Sequence, residues 1–325
     1  MRRITSCLVC SSDDLSRSPA IVAPFIREYA LGGAGRPEVP TQAVLLTCAS
    51  CEMDFYDLRY DDDEIAALYA GYRGERYFAL RHHFEPLYTR KYNDNNGRES
   101  ASIDTRKRTV QALVTEALGN TTITSVLDFG GDAGQFIPDF EGAARYVLEV
   151  SDVPPEPGVT SVSRLEELEK PVDLVILAHV LEHVSDPVAL LTELMTAVGD
   201  GGYLYVEVPL DRPKLPPPWA VRLQASWVKT VTCNTRLTVA VDAVSTPVRV
   251  LARGRWIPFT FPRLHEHINF FSPGALARTL ERGGWHAVAQ KQYDHSTGLL
   301  GLSVFGVLAT REVPATEPPA GQGSP

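Results

Sequence analysis

The stretch VLDFGGDAGQF, Val126 to Phe136, places an apolar run before an acid and then sets three glycines within five residues. Glycine loses more backbone freedom on folding than any other residue, so three of them directly after a strand need a reason. A sharp turn at the carboxyl end of a parallel strand lets backbone N–H groups approach a ligand closely, and the start of the next helix favours negative charge there. The stretch therefore predicts a strand, a ligand-binding loop and a helix. A turn that only connects two elements is the alternative.

The chain around this loop alternates between strand-like and helix-like segments. The strand-like runs are TSVLDF, RYVLEV, VDLVILA and GYLYVEVP. This alternation predicts a parallel sheet covered by helices on both faces. Capping residues mark two helix starts, Ser185 or Asp186 before Pro187 in the first helix and Ser272 in the second, and Gly199 can end the first helix.

The run RYVLEV carries Glu149 near its end, 21 positions after Asp128. An acid at the end of the second strand is where Rossmann-type sites bond ribose hydroxyls. We therefore expect Glu149 to hold the ribose of a nucleoside-containing cofactor. A solvated strand end is the alternative interpretation.

The order of residues in the loop separates two classes of cofactor. A nicotinamide dinucleotide site needs GxGxxG, whereas the order here is GGDAG, in which Asp132 would repel a pyrophosphate. The arrangement DFGGDAG instead resembles the first motif of class I S-adenosylmethionine-dependent methyltransferases, an acid followed by three glycines at alternate positions. Asp128, Gly130 and Gly134 match that motif, and Asp132 replaces its middle glycine.

The resemblance extends along the chain to DLVILAHVLEHVSDPVALLTEL, GGYLYVEVP and HEHINFFSPGAL, which are similar to later parts of the same family. It implies an α/β, Rossmann-like sheet of seven strands, mainly parallel, with one antiparallel strand for which GLLGLSVFGVLA is the candidate. It also implies that S-adenosylmethionine is held at the loop and at the ends of neighbouring strands. The residues expected to bind it are Asp128, Gly130, Gly131, Asp132, Gly134, Glu149, Ala178 and His179.

Four of the five cysteines form two pairs, CLVC at residues 7–10 and CASC at residues 48–51. Each pair places two thiols on a short turn, and four thiolates complete a closed tetrahedron around a structural zinc ion. A helix is predicted between the pairs, over residues 20–31. Free thiols or a redox pair are the alternative to zinc. The predicted Zn²⁺ ligands are Cys7, Cys10, Cys48 and Cys51.

Methyl transfer is an in-line displacement in which the protein aligns the acceptor and removes a proton when the acceptor is an alcohol or an activated carbon. Histidine suits that role near neutral pH, and two clusters qualify. His267, in HEHINFF, is the leading candidate for the catalytic base, and His183, after the fourth strand, is the second. The alternatives are that Glu182 and His183 only cap or pair at a helix start and that His265 is an exposed loop residue.

Composition divides the chain into units with different predicted roles. A zinc-binding unit covers residues 1–57, a helical lid or linker covers 58–120, and the methyltransferase domain covers 121–310 with a basic insertion at 210–258. The tail, residues 311–325, is rich in Pro, Gly and Glu and is expected to be disordered.

Two segments have more than one possible role. The run YAGYRGERYFALRHHFEPLYTRKY, residues 69–92, is rich in Tyr and Arg and either binds a substrate that carries phosphate and rings or packs onto the core. The insertion has eight Lys or Arg against one Asp between Arg212 and Trp256. It can hold a diphosphate, contact an anionic membrane surface or bind a partner.

The composition of the 325 residues disfavours several classes of protein. A formal charge of −9 and a pI near 5.4 argue against general nucleic-acid binding, which needs an excess of cations. No segment reaches the ~20 apolar residues of a transmembrane helix, and the N-terminus lacks the apolar run of a secretory signal. We therefore expect a cytoplasmic protein without a transmembrane segment.

The four-cysteine unit, the Tyr- and Arg-rich helical segment and the methyltransferase motifs together resemble the subgroup that includes nucleotide-sugar C-methyltransferases, whose members generally carry a further C-terminal domain. This resemblance implies methyl transfer to a small acceptor, such as an anionic nucleotide-linked sugar or another glycosidic or secondary metabolite. Two alternatives stay open: a non-catalytic S-adenosylmethionine-binding or assembly module, and a nucleotide-dependent oxidoreductase or epimerase on the same kind of sheet.

Overall fold

The computed structural model describes residues 1–33, 38–95, 100–119, 122–149, 153–251, 255–295 and 302–311. The strands are β1 (Arg2–Arg3), β2 (Leu15–Val22), β3 (Gln42–Cys48), β4 (Asp54–Tyr56), β5 (Leu58–Arg59), β6 (Ser125–Phe129), β7 (Ala144–Leu148), β8 (Thr160–Val162), β9 (Val172–Ala178), β10 (Val198–Pro209), β11 (Arg263–Leu264), β12 (Asn269–Phe270), β13 (His286–His295) and β14 (Leu302–Thr310). The helices are α1 (Pro24–Tyr29), α2 (Asp62–Tyr69), α3 (Glu75–Phe84), α4 (Arg90–Asn95), α5 (Ser100–Leu118), α6 (Pro187–Leu194), α7 (Val221–Thr232), α8 (Thr235–Leu251) and α9 (Pro273–Arg282).

The larger sheet has seven strands in the order β13-β14-β10-β9-β6-β7-β8. Each neighbouring pair from β10 to β8 is parallel, whereas β14 runs antiparallel to both of its neighbours. β14 is the strand that the run GLLGLSVFGVLA predicted. The predicted Rossmann-like fold, with seven strands of which one is antiparallel, is therefore confirmed.

Helices cover both faces of this sheet. Leu174 of β9 shares a buried cluster with Val110 and Leu113 of α5. Its neighbour Val175 belongs to a different cluster, which includes Leu191 of α6 and residues of α9. Successive residues of a strand point to opposite faces, so β9 is buried on both sides, as a parallel sheet requires. α5, within the segment predicted as lid or linker, thus serves as a helix of the sheet.

Side-chain caps fix the starts of the two helices that follow β9 and β12. Asp186 accepts a hydrogen bond from the Ala189 N–H at 3.0 Å at the start of α6. Ser272 accepts one from the Ala275 N–H at 3.0 Å at the start of α9. Each cap satisfies an N–H group that has no partner within its helix, and both predicted starts are confirmed.

The helix predicted after the glycine loop is wrong: residues 132–136 form a turn, and the described residues between β6 and β7 contain no helix. Two other predicted helix boundaries are also wrong. Gly199 lies inside β10, because the chain already pairs with β9 at Val198 and the helix before it has ended. The helix predicted over residues 20–31 is only the six residues of α1, because residues 20–22 belong to β2. A short, fully buried apolar run does not by its pattern distinguish a helix from a strand.

The second sheet joins the two ends of the chain. Its five strands have the order β11-β2-β3-β4-β12. The strands of the predicted zinc-binding unit therefore lie between β11, directly before the HEHINFF motif, and β12, within that motif. Leu264 pairs with Val22, and Asn269 pairs with Phe55. The N-terminal unit and residues 263–270 therefore form one layer.

The Tyr- and Arg-rich segment packs onto this second sheet. The Tyr77 side chain is fully buried, and its ring lies 5.1 Å from the Phe25 ring and 5.4 Å from the Tyr29 ring, centroid to centroid. Tyr88 is also buried and lies under the Arg81 guanidinium, whose central carbon is 4.0 Å from the ring centroid. These contacts favour the packing interpretation of the segment.

The predicted basic insertion forms the helical pair α7 and α8, and α7 packs across β2.

No helix among the described residues is both long and apolar enough to cross a membrane. The tail predicted to be disordered lies outside the described residues beyond Arg311.

A buried arginine links the segment after β9 to the HEHINFF motif. The guanidinium of Arg59, at the end of β5, donates hydrogen bonds to the carbonyl oxygens of Val184 at 2.7 Å and Ser185 at 3.1 Å. It also donates to the Ile268 carbonyl at 3.2 Å and to the Asn269 side-chain oxygen at 2.8 Å. Burial lowers the pKa of Arg59 to about 9, so the side chain still carries its charge at neutral pH.

Asn269 binds the same backbone from the other side. Its side-chain amide donates to the carbonyl oxygens of Leu181 and Val184, both at 2.8 Å. The backbone N–H groups of Ile268 and Asn269 both donate to the Glu182 carbonyl, at 2.8 and 3.0 Å. We call Arg59, Asn269 and the carbonyl groups they bind the carbonyl clasp.

We expect Arg59→Met to lower the free energy of unfolding by about 3 kcal/mol, because it removes the buried hydrogen bonds that Arg59 donates to the oxygen atoms of the clasp. Urea denaturation followed by circular dichroism measures the change. Arg164→Met is the matched control: Arg164 is 74% exposed, and its replacement should shift stability by less than about 0.5 kcal/mol. An unchanged unfolding midpoint for Arg59→Met would show that the clasp contributes no stability.

Candidate functional site

The glycine loop after β6 contains three residues in the left-handed backbone region, Gly130 at φ 70°, Asp132 at φ 57° and Gly134 at φ 78°. Aspartate tolerates this region better than most residues because its short side chain can hydrogen-bond locally. Here the Gln135 side-chain amide donates to the Asp132 carboxylate at 3.3 Å. Asp132, which stands in place of the middle glycine, thus adopts a backbone conformation that glycine adopts freely.

The loop passes directly beneath the carboxylate of Asp128. A Cβ atom at Gly131 would overlap that carboxylate, so a side chain there would displace either the loop or the acid. Asp128 is 1% exposed, and its Oδ2 makes no hydrogen bond to a described residue. Burial raises the pKa of Asp128 to about 7. A buried acceptor without a donor, at the end of a strand, fits the ammonium group of an amino-acid ligand.

Glu149 follows the next strand, β7, and lies beside the loop. Its Oε2 accepts a hydrogen bond from the Asp132 N–H at 3.1 Å. The structure thus brings the predicted ribose ligand and the predicted glycine loop together at one edge of the sheet. The ribose contact itself stays a prediction.

His179, directly after Ala178 at the end of β9, lies between two buried acids. Its Nε2 is 3.0 Å from Glu207 Oε1, and its Nδ1 is 3.2 Å from Glu182 Oε1. Burial lowers the pKa of His179, but the hydrogen bonds to Glu182 and Glu207 outweigh it and raise the pKa overall. Both ring nitrogens therefore face carboxylates, and a cofactor would contact other atoms of His179.

The functional importance of Glu207 and Arg106 was not predicted from the sequence. Glu207 is fully buried on β10 and accepts hydrogen bonds from Arg106 Nε and from the Tyr205 hydroxyl, both at 2.8 Å, and from the Tyr293 hydroxyl. The Arg106 charge and the His179 hydrogen bond hold the pKa of Glu207 well below its usual range in spite of burial. An acid inside the apolar strand GYLYVEVP was the available signal, because a buried charge needs a partner.

A second cluster consists of Glu182 and His183, from the segment after β9, and His267, from the HEHINFF motif. One ligand atom from each residue lies within 4.8 Å of the others. The two imidazole rings meet edge to face, with centroids 4.7 Å apart. The structure therefore brings both predicted bases together. We call these three residues the histidine cluster; its donor atoms can share a proton or bind a divalent cation.

Neighbouring oxygens hold both rings of the histidine cluster. His183 Nδ1 lies 3.1 Å from the Glu266 carbonyl oxygen, and His267 Nδ1 lies 2.9 Å from Asp211 Oδ2. Because Nδ1 makes these contacts in each ring, Nε2 is the ring nitrogen that can contact a reacting group. The Asp211 contact also links the end of β10 to the HEHINFF motif.

The two histidines have opposite pKa shifts. Burial, followed by the charge of His267, lowers the pKa of His183 to about 4. Burial also lowers that of His267, but the Asp211 hydrogen bond and the Glu182 charge outweigh it and raise the pKa to about 9. At neutral pH His183 is therefore a neutral imidazole, and His267 carries a proton.

His265 does not join the histidine cluster. The interpretation of His265 as an exposed loop residue is wrong, because it is 9% exposed and its Nε2 lies 2.9 Å from Glu85 Oε1. The interpretation of Glu182 and His183 as a helix cap is also wrong, because Asp186 caps α6.

The four predicted zinc ligands converge. Cys7 Sγ lies 3.4 Å from Cys51 Sγ, and Cys10 Sγ lies 3.5 Å from Cys48 Sγ. All four sulfur atoms lie within 4.8 Å of one another. A tetrahedral zinc ion with Zn–S bonds of ~2.3 Å separates its sulfur ligands by ~3.8 Å, so the set fits the ion closely.

The two cysteine turns have the same geometry. Ser11 donates its N–H to the Cys7 carbonyl at 3.0 Å, and Glu52 donates its N–H to the Cys48 carbonyl at 3.0 Å. Ser11 and Glu52 each follow the second cysteine of a pair and adopt φ values of 59° and 61°. Two matching, strained turns that present thiols to one point favour a shared metal ion over unrelated free thiols.

A cavity of about 390 Å³ lies elsewhere, between α7 and strands β2 and β3. None of the predicted site residues lines it.

Comparison with known proteins places these features in a family. The family model described as "Methyltransferase domain" matches residues 76–290. The search of curated proteins finds no match. One similar solved structure is 1,6-didemethyltoxoflavin-N1-methyltransferase of Burkholderia thailandensis, with 14% identity, TM-score 0.44, and coverage of 82% of this chain and 96% of that chain. Another is magnesium protoporphyrin IX methyltransferase of Synechocystis PCC 6803, with 15% identity, TM-score 0.38, and coverage of 64% and 83%.

The family match covers more than half of the chain and includes the glycine loop, Glu149 and the histidine cluster. The sequence-based expectation of a methyltransferase is confirmed at this level, and the oxidoreductase or epimerase alternative loses its support. The chain therefore belongs to the methyltransferase domain family.

Proposed function

We propose that the protein transfers a methyl group from S-adenosylmethionine to a small acceptor whose reacting atom lies against the histidine cluster. One observation carries the proposal: the glycine loop, Glu149 and His183 follow the carboxyl ends of the parallel strands β6, β7 and β9 of one sheet, and His267 of the HEHINFF motif lies against His183. In open α/β sheets ligands bind at this edge.

The chemistry of the loop supports the cofactor. The unpartnered Asp128 Oδ2 suits the ammonium group, and Glu149 suits the ribose hydroxyls. The bound cofactor supplies an activated methyl group, so the protein has only to align the acceptor and accept its proton. The residues proposed to hold it are Asp128, Gly130, Gly131, Asp132, Gly134, Glu149, Ala178 and His179.

The His267–Asp211 pair is proposed as the base that accepts a proton from the acceptor. Asp211 stabilises the imidazolium that forms when His267 takes the proton, and 32% exposure of the His267 side chain gives that proton a route to solvent. Its pKa of about 9 also means that His267 must first lose its resting proton. His183, neutral and adjacent, is the second candidate.

An anionic or sugar-containing acceptor is supported by the resemblance to nucleotide-sugar C-methyltransferases, and Arg81 of the Tyr- and Arg-rich segment adds no support. Arg81 of that segment lies 3.2 Å from Glu85 and Glu266, so its charge is already neutralised within the protein. A nucleotide-linked sugar is therefore proposed as one member of a wider class of glycosidic or secondary metabolites. A cytoplasmic location likewise stays a prediction.

The four cysteines are proposed to hold a structural zinc ion. Their sulfur atoms complete a four-coordinate set, so no position is left for a reacting water molecule. The ion would join two distant parts of the N-terminal unit and stabilise its sheet.

Glu149→Ala should weaken binding of S-adenosylmethionine and of its demethylated product by at least tenfold, or about 1.4 kcal/mol, because hydrogen bonds to the ribose are lost. Isothermal titration calorimetry measures both affinities. Glu169→Ala replaces an exposed acid that is not among the proposed site residues, and it should leave both affinities unchanged. Equal affinity in wild type and Glu149→Ala would remove Glu149 from the ribose role, and binding without turnover of any acceptor would favour a non-catalytic module.

The His267 imidazole should titrate near pH 9, because a raised pKa keeps the proton bound below that pH and releases it above. Histidine NMR spectra recorded against pH measure this, with the exposed His83 as a reference. Asp211→Asn should move the His267 titration to lower pH, because the neighbouring negative charge is lost. Methyl transfer to a hydroxyl acceptor should rise with pH up to about 9. An unshifted titration in Asp211→Asn would contradict the pairing.

Metal analysis of the purified protein should give about one zinc ion per chain. Cys48→Ser with Cys51→Ser should lose the ion and lower the melting temperature, because the ion stabilises only the folded state. Cys233→Ser, at an exposed cysteine outside the cluster, should retain it. A metal-free wild-type protein that is fully folded would rule out the site.

A further inference from the structure

The region around α7 and α8 carries an unusual share of the exposed apolar surface. Five of the eight large hydrophobic side chains that are exposed among the described residues lie between Trp219 and Phe259. Trp219 is 71% exposed and Leu223 is 66% exposed. Single exposed apolar residues are ordinary, but a group of them on one element indicates a contact surface.

Three of these side chains, together with the partly buried Trp256, form one patch. Trp219 precedes Leu223 by four positions, one helical turn, at the start of α7. The Trp219 and Trp256 rings lie 6.0 Å apart at right angles. Trp227, one further turn along α7, donates its indole N–H to the Phe259 carbonyl at 2.9 Å and so holds Phe259 beside the helix. We call Trp219, Leu223, Trp256 and Phe259 the tryptophan patch.

The fold does not need the tryptophan patch for its own packing. α7 faces the second sheet with Val228 and Val231, which are buried in a cluster with Ile21 and Phe261. Trp219 and Leu223 lie outside that cluster and are exposed. The fold thus covers one apolar face of α7 and leaves Leu223 of α7 and Trp219 of the preceding turn uncovered.

Exposed cations surround the patch. Residues 212–256 contain eight Lys or Arg and one Asp, a formal charge of +7 in a chain whose total is −9. The single acid, Asp242, is already paired with Arg263 at 2.5 Å. The positive charge of this region is therefore not neutralised from within. The exposed cations among the described residues are Lys214, Arg222, Lys229, Arg236 and Arg255.

We propose that α7 and the turn before it dock onto an anionic lipid bilayer, with Trp219 and Leu223 in the interface and the surrounding cations at the lipid headgroups. Tryptophan, leucine and phenylalanine beside lysine and arginine on one helix are the composition of interfacial membrane helices. The charge distribution supports the same orientation, because the remainder of the chain is strongly acidic and an anionic surface repels it.

The proposed docking surface is connected to the histidine cluster. Asp211, at the start of the insertion, contacts His267, and the chain returns to the histidine cluster at His267 after the insertion ends. Docking would hold the cluster near the membrane surface, which suits an acceptor carried on a lipid. This last point rests on the proposed function; the docking itself does not.

Flotation with lipid vesicles tests the proposal on the full chain. The protein should float with vesicles of phosphatidylcholine and phosphatidylglycerol, should not float with phosphatidylcholine alone, and should be released by salt. Trp219→Ser with Leu223→Ser should lower partitioning at least about tenfold. Arg222→Gln with Lys229→Gln should lower it roughly 25-fold, about fivefold for each cation.

Leu87→Ser with Tyr92→Ser is the matched control, because these side chains are 57% and 56% exposed but lie outside the insertion. It should bind vesicles as the wild type does. Thermal melting and S-adenosylmethionine calorimetry should give the same values for all three double variants, which separates docking from folding and from the proposed function. Equal flotation with both vesicle types, or wild-type binding by the Trp219 and Leu223 variant, would overturn the proposal. A dimer that the same variant dissociates, without vesicle binding by the wild type, would also overturn it and assign the patch to a second copy of the chain.

Discussion

The carbonyl clasp is the interaction on which the candidate site depends. Backbone carbonyl groups after β9 and at Ile268 come together in the interior, where each needs a donor. Arg59 supplies its planar set of N–H groups, and Asn269 supplies its amide. Because His183 follows β9 and His267 precedes Ile268, the same bonds hold the two histidines against each other.

The clasp also explains why the N-terminal unit is part of the site. Arg59 is the last residue of β5, shortly after the second cysteine pair. β11 and β12 bring the HEHINFF motif into the sheet of the N-terminal unit. A metal ion at the cysteines would therefore stabilise the layer that positions His267. The proposed zinc site and the proposed base His267 therefore belong to the same layer.

Short sequence patterns correctly predicted those turns and caps whose conformation depends on a few neighbouring residues. The glycine loop, the caps Asp186 and Ser272 and the cysteine pairs could all be found in the sequence, because turn geometry and hydrogen bonding act over a few residues. Gly199 was assigned to the wrong element, because strand pairing with β9 is a tertiary interaction that the local pattern does not contain. The contact between His183 and His267 could not be predicted, because the two histidines belong to different segments that only the fold brings together.

Arg59, Arg106 and Glu207 could not be recognised from the sequence in the same way. Each is a charged residue that occupies a buried position because a partner from a distant part of the chain compensates it. No periodic pattern in the sequence marks these three residues as buried, and only the fold shows which groups they contact. The burial of His265 has the same origin, since its partner Glu85 lies 180 residues away.

The most direct measurement is a crystal structure of the protein with the demethylated cofactor product bound. We predict that the ligand lies over the glycine loop, with its ammonium group at Asp128 and its ribose at Glu149. Its sulfur atom should face the histidine cluster across a gap that admits a small acceptor. A ligand bound elsewhere, or a sulfur atom that faces away from His183 and His267, would contradict the claim that the carbonyl clasp assembles the reacting site.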